Sequence, residues 1–312
     1  MNHSISSLPR SGDFSLCGNP SRICSFISFS LVLLLAFWLT PAFSATLSST
    51  PSDKGWVTNG EVKAIATDGT STYIGGTFSY VGPYTGTAVP LSASTGYAPS
   101  RFPKINGVVY AVVADGLGGW YLGGNFTKVD EVARNRIAHI LADGSLDRFW
   151  NPNANNAVRV IAVSGAIIYA GGDFTNIGGQ TRNRIAALDV TTGLSTAWNP
   201  NANNIVYSLI VGGTKIYAGG SFTTIGGQTR NRIAVLDKST GIATTWNPNA
   251  NNTVNALAVN GTTVYAGGSF TNIGGQTRNY IAALDESTGN ATSWNPGADT
   301  VTSFTPWQRV TL

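Results

Sequence analysis

Beyond residue 60 the chain alternates short β-branched or aromatic runs with breaks rich in Gly, Asn and Thr, and the alternation returns every 48 residues. In the unit from Asn151 to Trp198, the run Val158 to Val163 ends at Ser164-Gly165, and Ile167 to Phe174 ends in a polar loop from Asn176 to Thr181. Arg184 to Leu188, the break Thr192-Gly193 and Leu194 to Trp198 complete the unit. Apolar runs of this length between turn residues predict four strands per unit. Beyond the first 44 residues, Gly, Asn or Pro interrupts every stretch that could carry a helical stripe.

The register is strict. Gly75-Gly76 recurs as Gly123-Gly124, Gly171-Gly172, Gly219-Gly220 and Gly267-Gly268. Tyr73, Tyr121, Tyr169, Tyr217 and Tyr265 keep step with it, as do Phe78, Phe126, Phe174, Phe222 and Phe270. Trp150, Trp198, Trp246 and Trp294 close their units, with Phe102 at the equivalent place in the first. The units lie near 55–102, 103–150, 151–198, 199–246 and 247–294, with a partial sixth at 295–312. Four-stranded repeats of about 40–50 residues predict an all-β fold, a β-propeller of four-stranded blades that pack face to face. Gly inside a strand marks a close backbone approach, so the pairs are expected at tight contacts near the central channel. The sixth unit starts with Val301 to Phe304 and leaves the pattern at Pro306, Trp307 and Gln308. That is compatible both with a strand sealing a five-bladed ring and with an arc of a larger one.

Read in order, Y-x-G-G-x-F-T, R-N-R-I-A, L-D-x-x-T-G and W-N-P-N-A-N-N resemble the delta-60 repeat family of bacterial β-propellers, and more loosely kelch repeats. The resemblance runs from about Val62 to Pro296. The second unit, with Leu141 to Asp147 ahead of Phe149-Trp150-Asn151-Pro152, is nearest to the family's wording. It implies a propeller in an extracellular or cell-surface setting, and it transfers no catalytic residue.

Residues 1–44 have the organisation of a signal peptide: Arg10 and Arg22, an apolar run from Phe26 to Leu39, Pro41, then small residues that place cleavage between Ser44 and Ala45. An uncleaved membrane anchor is the alternative, and membrane contact is expected only through this leader. The rest, 45–312, is the repeat domain. Both cysteines, Cys17 and Cys24, precede the apolar run, so the exported chain would have no thiol for a disulfide, a zinc site or nucleophilic catalysis. The net charge of +4, or +3 without the leader, and the absence of a Lys/Arg cluster argue against a nucleic-acid partner. With 37 Gly and only 11% charged residues, the chain reads as turn-rich and well packed.

Candidate chemistry is sparse. Arg134, Arg182, Arg230 and Arg278 recur at the repeat interval and have two readings. They either hydrogen-bond between blades, to carbonyls or to Asp189, Asp237 and Asp285, or form a ligand-binding ring for an anionic polymer. The three aspartates precede Thr-Gly turns and read as turn residues. The Asn-rich connectors could offer amides to calcium, but they contain no carboxylate, so no metal and no cofactor is expected. His139, alone in the exported chain, reads as packed or surface. An asymmetric site could sit only among the unrepeated charges Lys128, Asp130, Glu131, Asp147, Arg148 and Arg159. Near-identical units argue against catalysis, which needs one asymmetric constellation. The expectation is an exported, non-catalytic scaffold binding protein or polysaccharide at the cell surface, outside the cell or in the periplasm. The alternatives are a structural matrix protein and a propeller glycosidase or polysaccharide lyase.

Overall fold

The computed structural model describes residues 58–68, 71–79, 87–92, 96 and 103–298. The expected leader with its cut between Ser44 and Ala45, Cys17, Cys24, Phe102 and the start of the sixth unit lie outside the described residues. Every regular element among those residues is a strand, and they form five blades in chain order.

The third unit shows how a blade is made. Val158–Ser164 pairs antiparallel with Ile167–Gly172 through the tight Gly165 turn, and Ile167–Gly172 pairs with Ile185–Asp189. The expected fourth strand, Leu194 to Trp198, is present in reduced form: a single bridge joins Leu188 to Ser195, and Thr196 N–H donates to the Ala187 carbonyl at 2.9 Å. Inside the loop, Asn176–Ile177 and Gln180–Thr181 make a two-residue ladder. The fourth and fifth units repeat this register residue for residue.

The innermost strand of each blade is its first: Val62–Thr67, Val109–Ala114, Val158–Ser164, Val206–Gly212 and Val254–Asn260 lie side by side in that order. Between them sit the apolar layers. Tyr169, Ile185 and Ala187 of the third blade pack on Val206, Leu209 and Ile216 of the fourth, and the second blade meets the third in the same way through Tyr121, Ile137, Val158 and Ile161. The alternation of each strand thus supplies two buried faces, one toward each neighbour.

The glycine pairs serve two close approaches. A Cβ on Gly171 would stand 2.7 Å from Val160 and 2.9 Å from Val206 of the next blade, so the first Gly sets the spacing between blades. A Cβ on Gly172 would lie 2.2 Å from the Ala157 carbonyl oxygen, so the second lets the chain enter its own inner strand. The close approach is therefore blade to blade and strand to strand.

The connectors work through Trp, Pro and Asn. Trp150, Trp198 and Trp246 are buried, and each indole N–H donates to a carbonyl of the following blade: Asp189 at 3.4 Å, Asp237 at 3.2 Å and Asp285 at 3.0 Å. The neighbouring Pro152, Pro200 and Pro248 rest on Gly193, Gly241 and Gly289 in the turns that follow those aspartates. Asn155 accepts from the backbone N–H groups of Thr175 and Asn176, and Asn203 and Asn251 repeat this one and two blades on. These amides stitch each connector to the blade it enters, which is why Asn recurs there.

Candidate functional site

The repeated arginines hold the backbone of their own blade. Arg182 donates from Nη1 to the Thr181 carbonyl at 2.8 Å and from Nη2 to the Thr196 carbonyl at 2.6 Å. Arg278 and Arg230 make the same pairs, and Arg134 reaches the carbonyls of Ala133, Asp147 and Arg148. Each fork therefore ties the fourth run of the blade to the loop ladder. The partners are carbonyls within a blade, not carbonyls of a neighbour and not the turn aspartates. Asp189, Asp237 and Asp285 instead accept from the N–H groups two and three residues on and from the following Thr hydroxyl, closing the Thr-Gly turn.

The second arginine of the R-N-R motif carries backbone strain. Arg136, Arg184 and Arg232, with Tyr280 at the fifth place, have φ of 63° to 65°. A left-handed non-glycine residue costs about 1–2 kcal/mol. The surrounding bonds fix it: Arg184 N–H donates to the Phe174 carbonyl at 2.8 Å, and its own carbonyl accepts from Gly172 N–H at 2.9 Å. Tyr at 280 shows that the turn does not depend on a guanidinium.

Besides the Lys215–Glu286–Tyr217 contact between the fourth and fifth blades, two places break the repeat. The first is in the second blade, where His139 lies between two carboxylates, Nδ1 3.0 Å from Asp147 and Nε2 3.1 Å from Asp115. The ring stacks on Tyr121 with centroids 4.4 Å apart and is edge-on to Trp150. Both ring nitrogens lie within hydrogen-bond distance of a carboxylate oxygen. Neither nitrogen is left for a substrate. Burial pushes Asp147 up, but hydrogen bonds from His139 and from the Trp150 and Phe149 N–H groups outweigh it and hold the carboxyl below its ordinary value. Burial, with help from Asp115 and Asp147, pushes Tyr121 up to about 12. His139 is thus a packed residue, and Asp147 belongs to its cluster.

The second place runs across the blades. Every inner strand begins with a bulge that slips the register by one residue, between Val62 and Ala64, Val109 and Ala111, Val158 and Val160, Val206 and Ser208, and Val254 and Ala256. A bulge frees one residue from pairing and re-aims its side chain. The residues so placed are Lys63, Tyr110, Arg159, Tyr207 and Asn255, different in kind while the frame around them is constant. They are half-buried, except Asn255, which is exposed. The guanidinium carbon of Arg159 lies 5.3 Å from the centre of the Tyr110 ring and 5.4 Å from that of Tyr207, so one cation bridges the aromatic faces of two neighbouring blades. Asp173 takes its Nε at 2.9 Å and Nη2 at 2.7 Å, a bidentate pair that raises the Arg159 pKa still further. Asp173 also accepts from Arg184 through its carbonyl.

The residue after each glycine pair varies as well: Thr77, Asn125, Asp173, Ser221 and Ser269. Among the described residues, then, the inner rim is a surface on which the blades differ. Of the unrepeated charges, Arg159 lies in this row and Asp147 in the His139 cluster. Lys128 and Glu131 pair with each other at 3.0 Å on the surface, and Asp130 accepts from Lys104 N–H. Tyr110 and Tyr207 were not singled out by sequence reasoning. Their signal is one variable residue set between Val and a small or β-branched residue: V-K-A, V-Y-A, V-R-V, V-Y-S, V-N-A.

Residues 118–149, 168–189, 215–237 and 263–286 match the profile of the domain of unknown function DUF5122 beta-propeller. No curated protein matches the sequence. Among solved structures the chain is similar to the WD40 domain of Neurospora crassa Pan2, at 16% identity and a TM-score of 0.50, covering 76% of this chain and 69% of that one. It is also similar to the WD40 β-propeller domain of Doa1, at 13% identity and 0.51, covering 75% and 68%. A chain of the mitotic checkpoint complex aligns at 13% identity and 0.52, over 80% of this chain and 72% of that one. At these identities the likeness is one of fold. Repeat, blade architecture and matched profile agree that the chain is a β-propeller repeat protein.

Proposed function

We propose that this chain is an exported, non-catalytic scaffold that binds a protein partner along the inner rim of its blades. The observation that carries the reading is the bulge row. A constant frame holds four kinds of side chain at its five places, and Tyr110, Arg159 and Tyr207 form one continuous aromatic and cationic strip across three blades. Tyr and Arg are the residue types on which protein interfaces concentrate their affinity. The structural neighbours include WD40 domains and a chain of a multiprotein checkpoint assembly, which supports a partner of this class. Polysaccharide is the second reading, favoured by the same Tyr faces beside the Arg159–Asp173 pair, which suit a sugar ring and its hydroxyls. The non-catalytic reading draws on His139, whose two nitrogens are both engaged. Export and a cell-surface or extracellular setting rest on the leader and on the delta-60 wording of the repeats.

The test is a protein and glycan array probed with the exported chain and with Tyr110→Ala, Arg159→Ala and Tyr207→Ala. Each variant should weaken capture of the preferred ligand at least tenfold and leave the far-ultraviolet spectrum unchanged. Undiminished capture by all three would move the site elsewhere, and turnover of a captured glycan would replace the scaffold with an enzyme.

A further inference from the structure

The interface between consecutive blades has an outgoing half and an incoming half, and each half is open at one end of the described series. On the outgoing side, Trp150, Trp198 and Trp246 are buried to within 6% of full coverage, whereas Trp294 is 42% exposed. Its indole N–H has no acceptor among the described residues. Tyr265 and Ile281 are half-buried where Tyr217 and Ile233 are buried.

The incoming side shows the complement. Val112, Ile161, Leu209 and Leu257 meet the preceding blade and are 3–6% exposed, but Ile65, at the same register position, is 61% exposed. Gly193, Gly241 and Gly289 each carry a Pro and a Trp of the preceding connector within 3.4 Å of their Cβ position. Gly96 has the same left-handed turn, φ 69°, and no atom of the described residues within 4 Å of its Cβ position. Ser92 pairs with Ser71 as Asp189 pairs with Ile167, so its carbonyl stands where Trp198 and its kin find their acceptors one blade on.

We propose that the fifth blade of one copy docks head to tail on the first blade of a second copy of this chain. Trp294 and Pro296 would close on the Gly96 turn, with the indole donating to the Ser92 carbonyl, and Ile65 would enter between Tyr265 and Ile281. The contact continues an interface that the chain already makes between its own blades, with the same residue types on each side. Because its two halves differ, it is heterologous: every copy keeps a free half after pairing, and assembly proceeds past the dimer to a ring or a filament.

Sedimentation velocity of the full exported chain over a range of concentrations tests this. The wild type should assemble beyond a dimer. Ile65→Glu and Trp294→Ser alter exposed side chains, so in dilute solution each should keep the wild-type melting curve, and each alone should be monomeric or at least tenfold weaker in association. Mixed in equal amounts they should form a one-to-one pair, since one retains the outgoing half and the other the incoming half. A wild type that stays monomeric, single variants that still assemble, or a mixture that does not pair would each overturn the proposal. So would a monomeric wild type that begins to assemble on V301D/F304D substitution, which would assign the fifth-blade face to the chain's own last segment.

Discussion

At the scale of single residues, the turn aspartates show how a repeat secures its corners without burying charge. Asp237 is held down to about 2, first by the Ser239 hydroxyl and then by the Thr240 N–H and hydroxyl. Asp285 is held down to about 2 by the equivalent Ser287 and Thr288 groups. An unfolded Asp titrates near 3.9. Depression on folding means that the contribution of each carboxylate is complete above that value and is lost as pH falls from about 4 toward 2. Asp237→Asn keeps an acceptor oxygen and removes the titration. In urea unfolding followed from pH 6 to pH 2, the wild type should lose more stability than the variant below pH 4, with the two curves parallel above pH 5. Superimposable acid limbs would show that the Asp237 carboxyl titrates alike in the folded and unfolded chain.

Among elements, the connector tryptophans help dock one blade on the next. Trp198 is buried against the following blade and donates to the Asp237 carbonyl, while Trp294, which shares its Trp-Asn-Pro, is 42% exposed. Truncating a buried Trp costs about 3–5 kcal/mol. Trp198→Ala should therefore lower the denaturation midpoint sharply, and Trp294→Ala should shift it little in dilute solution. Equal losses would mean that burial between blades is not what stabilises the indole.

Strand order, glycine pairs and closing tryptophans were legible because each is a one-dimensional signal, a residue type returning at a fixed interval. The fourth run was legible as a short run after the Thr-Gly turn, but not its reduced pairing, a single bridge beside a Thr196 carbonyl that accepts from Arg182. The bulge row was hidden for the opposite reason. It is defined by where register slips, and only a paired partner shows that Tyr110 and Tyr207 converge on Arg159. The His139 cluster was hidden too, since Asp115 stands 24 residues away and is joined to it by the pairing of Trp120–Gly124 with its neighbours.

In the whole molecule, stability should be distributed along the series rather than shared equally. Repeat proteins gain most of it from contacts between neighbours, so a unit covered on both faces opens less often than one covered on a single face. The third and fourth blades have large apolar layers on both sides, whereas the first has a small separate cluster of Ile74 and Phe78 with Val62 and Leu91. Amide exchange followed by mass spectrometry at low protein concentration should therefore be slowest in Ile167–Gly172 and Lys215–Gly220 and fastest in Ser71–Gly76. Raising the concentration adds a further expectation that depends on head-to-tail docking. Protection should then rise in Val62–Thr67 and Thr263–Gly268, the strands that carry the open faces, and stay constant in the third blade. Uniform exchange across all five blades would mean that the series opens as one cooperative unit, and a gradient insensitive to concentration would leave the blade order intact while removing the second copy.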